Sequence, residues 1–307
     1  MTLETDLLLD RRRLKRRLVV WRTLAVLALV LALAVGLRDR EAGFGGPYVA
    51  HLKVSGLITE NDKLVKAVAA LAKDTQAKAL IVEIDSPGGS VAGGESLHDA
   101  IASVAAAKPV VAVMDGIATS AGYMIAVPAA RIFAQQATLT GSIGVLLPTG
   151  DVSGLLKMLG INADEIVSGP LKDQPSYVKP LSPEGRQVLQ GLVMDMYDQF
   201  VTMVAEGRHM DADKVRSLAD GRAYTGRQAL KLGLVDAIGG DAQARDWLAQ
   251  TKGVSAKLPE QPVTTESLTD RMFAGSLSGL FGGVWKTVVS QGLMLDGAWS
   301  IWQRPGG

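Results

Sequence analysis

Ala79-Leu80-Ile81-Val82-Glu83-Ile84-Asp85-Ser86-Pro87-Gly88-Gly89 decides the fold class. Residues 79–84 are almost wholly apolar and mostly branched. The run is too short for a helix and has no wet face, so it reads as a strand buried on both sides. Asp-Ser-Pro-Gly-Gly marks its end, since proline removes a ladder donor and paired glycines favour a turn. Outward from this strand, residues 95–106 read as a helix and residues 110–114 as the next strand. Upstream, residues 48–54 suit a strand, Ser55-Gly56 a turn and residues 62–73 a helix. Strands alternating with helices at this spacing predict an α/β fold with largely parallel pairing. Further on, Ser182-Pro183-Glu184 supplies the N-cap, the N1 proline and the first-turn acid of a long helix expected to reach about Glu206. Thr225 caps a shorter helix that Gly233 ends.

The chain has 307 residues, enough for one large domain or two small ones, and a formal net charge of +1. A near-neutral balance creates no global field for phosphates, so no nucleic-acid partner is expected. There is no cysteine, which excludes a thiolate nucleophile, a disulfide framework and a Cys-based zinc site. Only three histidines occur, and no metal or cofactor is implied.

Positive charge gathers at the start. Arg11, Arg12, Arg13, Lys15, Arg16 and Arg17 precede an apolar run over residues 18–37, broken once by Arg22. At about 1.5 Å per residue such a run is long enough for the roughly 30 Å hydrocarbon layer of a bilayer. It is expected to be one N-terminal transmembrane helix, with basic residues 1–17 on the cytoplasmic side and everything after it on the other. A cleaved signal peptide, with Ala32-Leu33-Ala34 as its small-residue site, is the competing reading. Residues 38–47, charged and then Gly-rich, read as a linker, and residues 48–254 as the globular domain. From Ser255 the composition turns to Gly and Ser. Phe273, Leu277, Leu280, Phe281, Val284, Trp285 and Val288 then recur at helical intervals, so residues 255–307 read as an amphipathic tail for subunit packing or a membrane surface.

Chemistry is suggested by four small-residue segments. The Pro87-Gly88-Gly89 turn exposes backbone N–H groups of the kind that hold an oxyanion. In Thr119-Ser120-Ala121-Gly122-Tyr123, a serine stands at a strand-to-helix turn, where its Oγ and the Ala121 N–H can face one reacting group. Thr140-Gly141-Ser142-Ile143-Gly144-Val145 offers a second serine able to hydrogen-bond an amine. Ser168-Gly169-Pro170-Leu171-Lys172-Asp173 offers a lysine after an apolar stretch that could cover it. His51, His98 and His209 lie in a strand, in a helix and beyond a long helix, poorly placed to be the serine's base. A lysine base must be neutral, and an unperturbed lysine near pKa 10.4 is only about 0.04 % neutral at pH 7, so burial has to help it. Each segment alone has a plainer reading: a turn, an N-cap for Ser120, a turn residue for Ser142 and an exposed loop lysine for Lys172.

Taken together and in this order, the segments resemble the SppA family of signal peptide peptidases, serine peptidase family S49, related to the Clp protease and crotonase fold of repeated strand-strand-helix units. Gly221-Arg222-Ala223-Tyr224-Thr225-Gly226 and Gly233-Leu234-Val235-Asp236 complete the match, which runs from Tyr48 to about Ala244. The resemblance implies a Ser–Lys dyad, with Ser120 as nucleophile, Lys172 as general base and Ser142 assisting the lysine. It places the oxyanion hole at Gly89 and the Ala121 N–H, with Gly88 as neighbour. It further implies a homo-octamer in which adjacent subunits contribute to one site. The substrates would be apolar peptides such as released signal peptides, at the outer face of a bacterial cytoplasmic membrane. Ala121 departs from the pattern, standing where many members have a second glycine. A histidine-based Clp mechanism is disfavoured, because the stretch following Ser120 holds no histidine. The rival readings are a crotonase-like acyl-CoA enzyme, whose loops bind a thioester oxyanion, and a non-catalytic membrane scaffold.

Overall fold

β1 (Tyr48–Ile58), β2 (Ala77–Gly89) and β3 (Val110–Thr119) run side by side in parallel at the centre of an eight-stranded sheet. The computed structural model describes residues 17, 20–28 and 46–264. Leu80, Ile81, Val82 and Ile84 have no solvent exposure, as their near-continuous apolar run requires. Burial of each contributes about 1.5–3 kcal/mol. β2 does not stop at Ile84: it shifts register and continues through Pro87 to Gly89, where it pairs with Leu57 and Ile58 of β1. A proline is tolerated where the ladder is already irregular, so the expected turn is an extension of the strand.

The crossovers are helices α1 (Asp62–Ala70) and α2 (Val91–Ala105). Asn61 and Ser90 cap them, accepting from Leu64 N–H and Gly93 N–H at 3.1 Å each. Beyond β3, the far edge is shared. β4 (Arg131–Ala134) pairs with its first half and β5 (Leu139–Gly141) with its last three residues. β6 (Ala223–Thr225) then joins β5 antiparallel, and β7 (Ala237–Ile238) joins β4. The remaining helices are α3 (Ala121–Met124), α4 (Ser153–Met158), α5 (Pro183–Arg208), α6 (Ala212–Leu218), α7 (Gly226–Leu232) and α8 (Asp241–Lys252). Ser182 caps α5, and a Thr225–Gln228 capping box with Gly233 left-handed at the far end bounds α7. The Ser182, Thr225 and Gly233 signals are all legible in the sequence.

One face of the sheet carries the larger core, with α2 and the end of α5 over Leu52, Leu80 and Val82. The other face packs Ala244 and Leu248 of α8 on Ile81, Val111 and Phe133. β8 (Glu260–Pro262) adds a parallel strand beside β1, and the first compact unit runs to Val263. The domain therefore extends past the expected boundary at residue 254, because Glu260 pairs with His51 and Arg245. Residues 20–28 are helical, and no helix among the described residues is long and apolar enough to cross a membrane. Most of the expected span at 18–37, and the tail from residue 265, lie outside the described residues.

The end of α5 is tied down by charge. Arg208 is nearly buried and donates through both terminal nitrogens to Asp236, and through Nε to Gly233 O. The second Asp236 oxygen also accepts from Ile132 N–H at 2.7 Å. Asp236→Ala strands the guanidinium, and is expected to cost about 3 kcal/mol, or roughly 6–12 °C in Tm. A loss below about 1 kcal/mol in thermal unfolding would place this pair with ordinary surface bridges.

Candidate active site

Where β3 ends and α3 begins, Ser120 occupies the corner with φ 55° and ψ −122°. An L-residue adopts such a conformation at a cost of about 1–3 kcal/mol, and only where its surroundings over-determine it. Here Ser120 N–H donates to Gly141 O, and Ser120 O accepts from Tyr123 and Met124 N–H, all at 2.9 Å. Tyr123 is fully buried and its hydroxyl donates to Leu234 O at 2.8 Å, anchoring the corner from below. Ser120 stands at the N-cap position, yet its side chain makes no capping bond, unlike Ser90 and Ser182. The helix-cap reading of Ser120 therefore fails, and its half-buried hydroxyl is left for other work.

The β3–β5 register, Thr119 beside Gly141, carries Ser142 next to Ser120. Ser142 also has a left-handed backbone, φ 48°. Its N–H donates to Arg222 O at 3.0 Å and its Oγ to Gly221 O at 3.2 Å. The hydroxyl proton is thereby engaged, which leaves the oxygen free to accept a hydrogen bond. The Gly221–Gly226 motif, assigned no chemistry from sequence, thus orients Ser142. Tyr224 supports the same turn, lying so close to Gly141 that a Cβ there would come within 2.8 Å of its ring.

On the other side lies the glycine turn. Gly88 has φ 110°, and a Cβ on it would sit 2.8 Å from Ser120 Cβ and 3.2 Å from Ala121 N. Gly88 N–H donates to Ser86 Oγ at 3.1 Å, so it is not available to a ligand. Gly88 O faces the same hydroxyl at 3.4 Å in the interior. In a trans peptide the N–H points away from the C=O, so the N–H of Gly89 is directed outward, and Gly89 is exposed. The two glycines differ: Gly88 N–H is engaged by Ser86 and Gly88 lies against Ser120, whereas Gly89 is exposed and packs against Ile58 O of β1. Ala121 N–H begins a helix and has no intrahelical partner to reach. Thr119 and Ser86 are not singled out by the sequence. Thr119 Oγ1 donates to Pro87 O at 2.9 Å, a contact spanning 32 positions that no local pattern announces.

Lys172 is placed differently. It lies in an exposed turn, its N–H donating to Gly169 O at 3.1 Å, and its side chain makes no hydrogen bond or ion pair with the described residues. This is the exposed loop lysine of the plainer reading, and one chain gives it no apolar cover: α4, the one helix between Gly141 and Pro183, buries none of its residues. Instead the segment that carries it, residues 146–177, leaves Leu146, Met158, Leu159, Ile161, Ile166 and Tyr177 exposed. The turn is braced by Lys179, which pairs with Asp173 at 3.2 Å and Glu165 at 3.8 Å. A hydrogen bond shared with Glu165, and then Lys179, hold the Asp173 carboxyl below its usual range. No histidine contacts Ser120: His51 lies between Glu83 and Glu260, His98 beside Asp99, and His209 caps α5.

A parallel α/β sheet presenting an uncapped serine on a strained strand-to-helix corner has the architecture of a serine hydrolase. The comparisons narrow the class. Peptidase family S49 matches residues 102–255, and the chain belongs to that family of serine peptidases. A protease-named relative from Synechocystis is 40 % identical over 67 % of this chain and 75 % of its own length. A relative from Enterococcus faecium named as a signal peptide peptidase SppA is 34 % identical over 69 % of this chain and 66 % of its own. Protease 4 of Salmonella typhi is 40 % identical over 54 % of this chain, which spans only 27 % of that longer protein. Among solved structures, a membrane-bound stomatin-specific protease overlaps 72 % of this chain and 99 % of its own at 16 % identity, with a TM-score of 0.46.

Proposed function

We propose that this chain is a membrane-anchored endopeptidase that cleaves apolar peptides, released signal peptides among them, through an acyl-enzyme on Ser120. The observation that carries the reading is the uncapped Ser120 hydroxyl, held in a strained corner between the Gly88–Gly89 turn and Ser142. Neutral Lys172 takes the Ser120 proton as Oγ attacks the scissile carbonyl. The N–H groups of Gly89 and Ala121 receive the oxyanion. Lys172 then returns the proton to the leaving amine as the C–N bond breaks, and water hydrolyses the ester to release the acid and regenerate Ser120. Ser142, whose own proton is engaged by Gly221 O, accepts from the lysine amine and aims its lone pair at Ser120.

Lys172 comes from the adjacent subunit of a homo-octamer. Two features support this: the lysine is free of partners in its own chain among the described residues, and it sits on a segment rich in exposed apolar side chains. Packing against a neighbour supplies the apolar cover that its own chain does not. Residues 18–37 anchor the chain in the cytoplasmic membrane with the peptidase domain outside, a reading that rests on the basic cluster before them. The peptide substrate class follows the name of the Enterococcus relative. The test is to treat the assembled protein with a fluorophosphonate and locate the adduct by mass spectrometry. Modification is expected at Ser120 alone, with parallel loss of cleavage of a quenched apolar peptide. An active protein left unlabelled at Ser120 would overturn the assignment.

A further inference from the structure

Two consecutive peptide units beside Ser120 are held by buried hydroxyls. The carbonyl of the Pro87–Gly88 unit accepts from Thr119 Oγ1 at 2.9 Å, and its N–H donates to Ser86 Oγ at 3.1 Å. The carbonyl of the next unit, Gly88–Gly89, faces the same Ser86 hydroxyl at 3.4 Å. Ser86 is 0 % and Thr119 7 % exposed, so water does not replace either hydroxyl if its partner rotates away. The ladder with Leu57 and Ile58 of β1 fixes one edge of this segment, and the two hydroxyls hold it from the β3 side, where Gly88 and Gly89 have no Cβ to restrict a peptide plane. A flip of the Gly88–Gly89 unit would point the Gly89 N–H inward and its carbonyl oxygen outward, toward an oxyanion it would repel.

We propose that Thr119 and Ser86 are positioning residues for peptide cleavage. Together they lock the Pro87-Gly88-Gly89 turn with the Gly89 N–H turned outward to the reacting carbonyl. Thr119 immediately precedes Ser120, so one hydrogen bond also ties the donor loop to the nucleophile's strand. The inference rests on the reading of Ser120 and Gly89 given above. A hydrogen bond to an oxyanion acts in the tetrahedral state and hardly in substrate binding, so its loosening lowers kcat and leaves KM in place.

Thr119→Val keeps the branched shape and removes the donor, whereas Thr119→Ser keeps the donor and removes a methyl. In the assembled full chain, Thr119→Val is expected to lower kcat about 10- to 100-fold, less than outright removal of an oxyanion donor, with KM nearly constant. Affinity for a peptide aldehyde, which forms a tetrahedral adduct, should fall in parallel. Affinity for the matching peptide alcohol should hold, and Thr119→Ser should retain most of the activity. Ser86→Ala, a small change at a buried site, should repeat the pattern and serves as the test if the valine variant does not fold. Full kcat in Thr119→Val, equal loss in Thr119→Ser, or equal weakening of aldehyde and alcohol would each overturn the proposal. Cleavage that survives Ser120→Ala in an otherwise wild-type chain would overturn the nucleophile assignment, and this inference with it.

Discussion

Co-expressed Ser120→Ala and Lys172→Ala chains are expected to cleave peptide, although neither variant does so alone. Lys172 stands in an exposed turn without a hydrogen bond or ion pair to the described residues, whereas the proposed mechanism requires a neutral amine within reach of Ser120 Oγ. An amine in water stays protonated, so a lysine base has to be covered. The exposed apolar side chains between Leu146 and Tyr177 are the surface that a neighbouring chain would cover. If each site joins Ser120 of one subunit to Lys172 of the next, a random one-to-one assembly contains intact sites wherever a Lys172→Ala chain receives its lysine from a Ser120→Ala neighbour. In a ring of identical head-to-tail interfaces that is about a quarter of the wild-type number. A dyad formed within one chain gives none, since every chain lacks one member.

The controls are single variants purified alone. Each should fall at least about 10³-fold, as removal of a nucleophile or its base does in serine peptidases. Lys172→Arg should be as inactive as Lys172→Ala, because arginine holds its proton at any working pH. Recovery near one quarter establishes a shared site. Assembled but inactive mixtures would place the dyad within one chain, and the turn around Lys172 would then have to close on its own Ser120.

How much of this is legible before folding depends on how local the cause is. The buried run at residues 79–84, the Ser182-Pro183 start of α5 and the Thr225–Gly233 bounds of α7 are set by neighbours a few positions away, and each reads correctly from sequence. The continuation of β2 through Pro87 does not, because Gly89 is extended by pairing with Ile58 rather than by its own preference. β8 escapes for the same reason. Glu260–Pro262 has no apolar periodicity, and its place depends on His51, Arg245 and the free edge of β1. In the site, Ser120, Gly88, Gly89 and Ser142 are recognisable as a set, and the register of β3 with β5 brings the two serines together. Lys172 stands in an exposed turn, and apolar cover from the residues before it is not formed by its own chain. The hydroxyls of Ser86 and Thr119 give no signal, although both lie inside motifs that do. A serine beside a proline and a threonine beside a serine carry no sign of which carbonyl they will meet across the sheet.

Gly88→Ala should be nearly as damaging to catalysis as losing the nucleophile, with a far smaller effect on the fold. Two independent costs act at this position. The backbone sits at φ 110°, a region that residues with a Cβ rarely enter, which costs about 1–3 kcal/mol. The added methyl would also lie 2.8 Å from Ser120 Cβ, 3.0 Å from Thr119 O and 3.2 Å from Ala121 N. None of these atoms is the end of a flexible side chain: two are backbone, and the third is fixed by the Ser120 corner. Relief therefore comes by moving the turn away from Ser120, by moving Ser120, or both, and a displacement near 1 Å already costs on the order of 10²-fold in rate. Combined with disturbance of the Gly88 hydrogen bonds to Ser86, the loss in kcat/KM is expected near 10³-fold, while unfolding free energy falls by about 1–3 kcal/mol. Gly191→Ala is the matched control. Gly191 lies inside α5 with no atom within 4 Å of where the added methyl would stand, and alanine there should stabilise the helix by roughly 0.5–1 kcal/mol. The fluorophosphonate reaction separates the causes of the loss, because it reports the Ser120 corner without requiring a peptide to be bound in register. A Gly88→Ala protein that is folded, assembled and within about threefold of wild-type turnover would show that the glycine turn stands apart from the reacting groups.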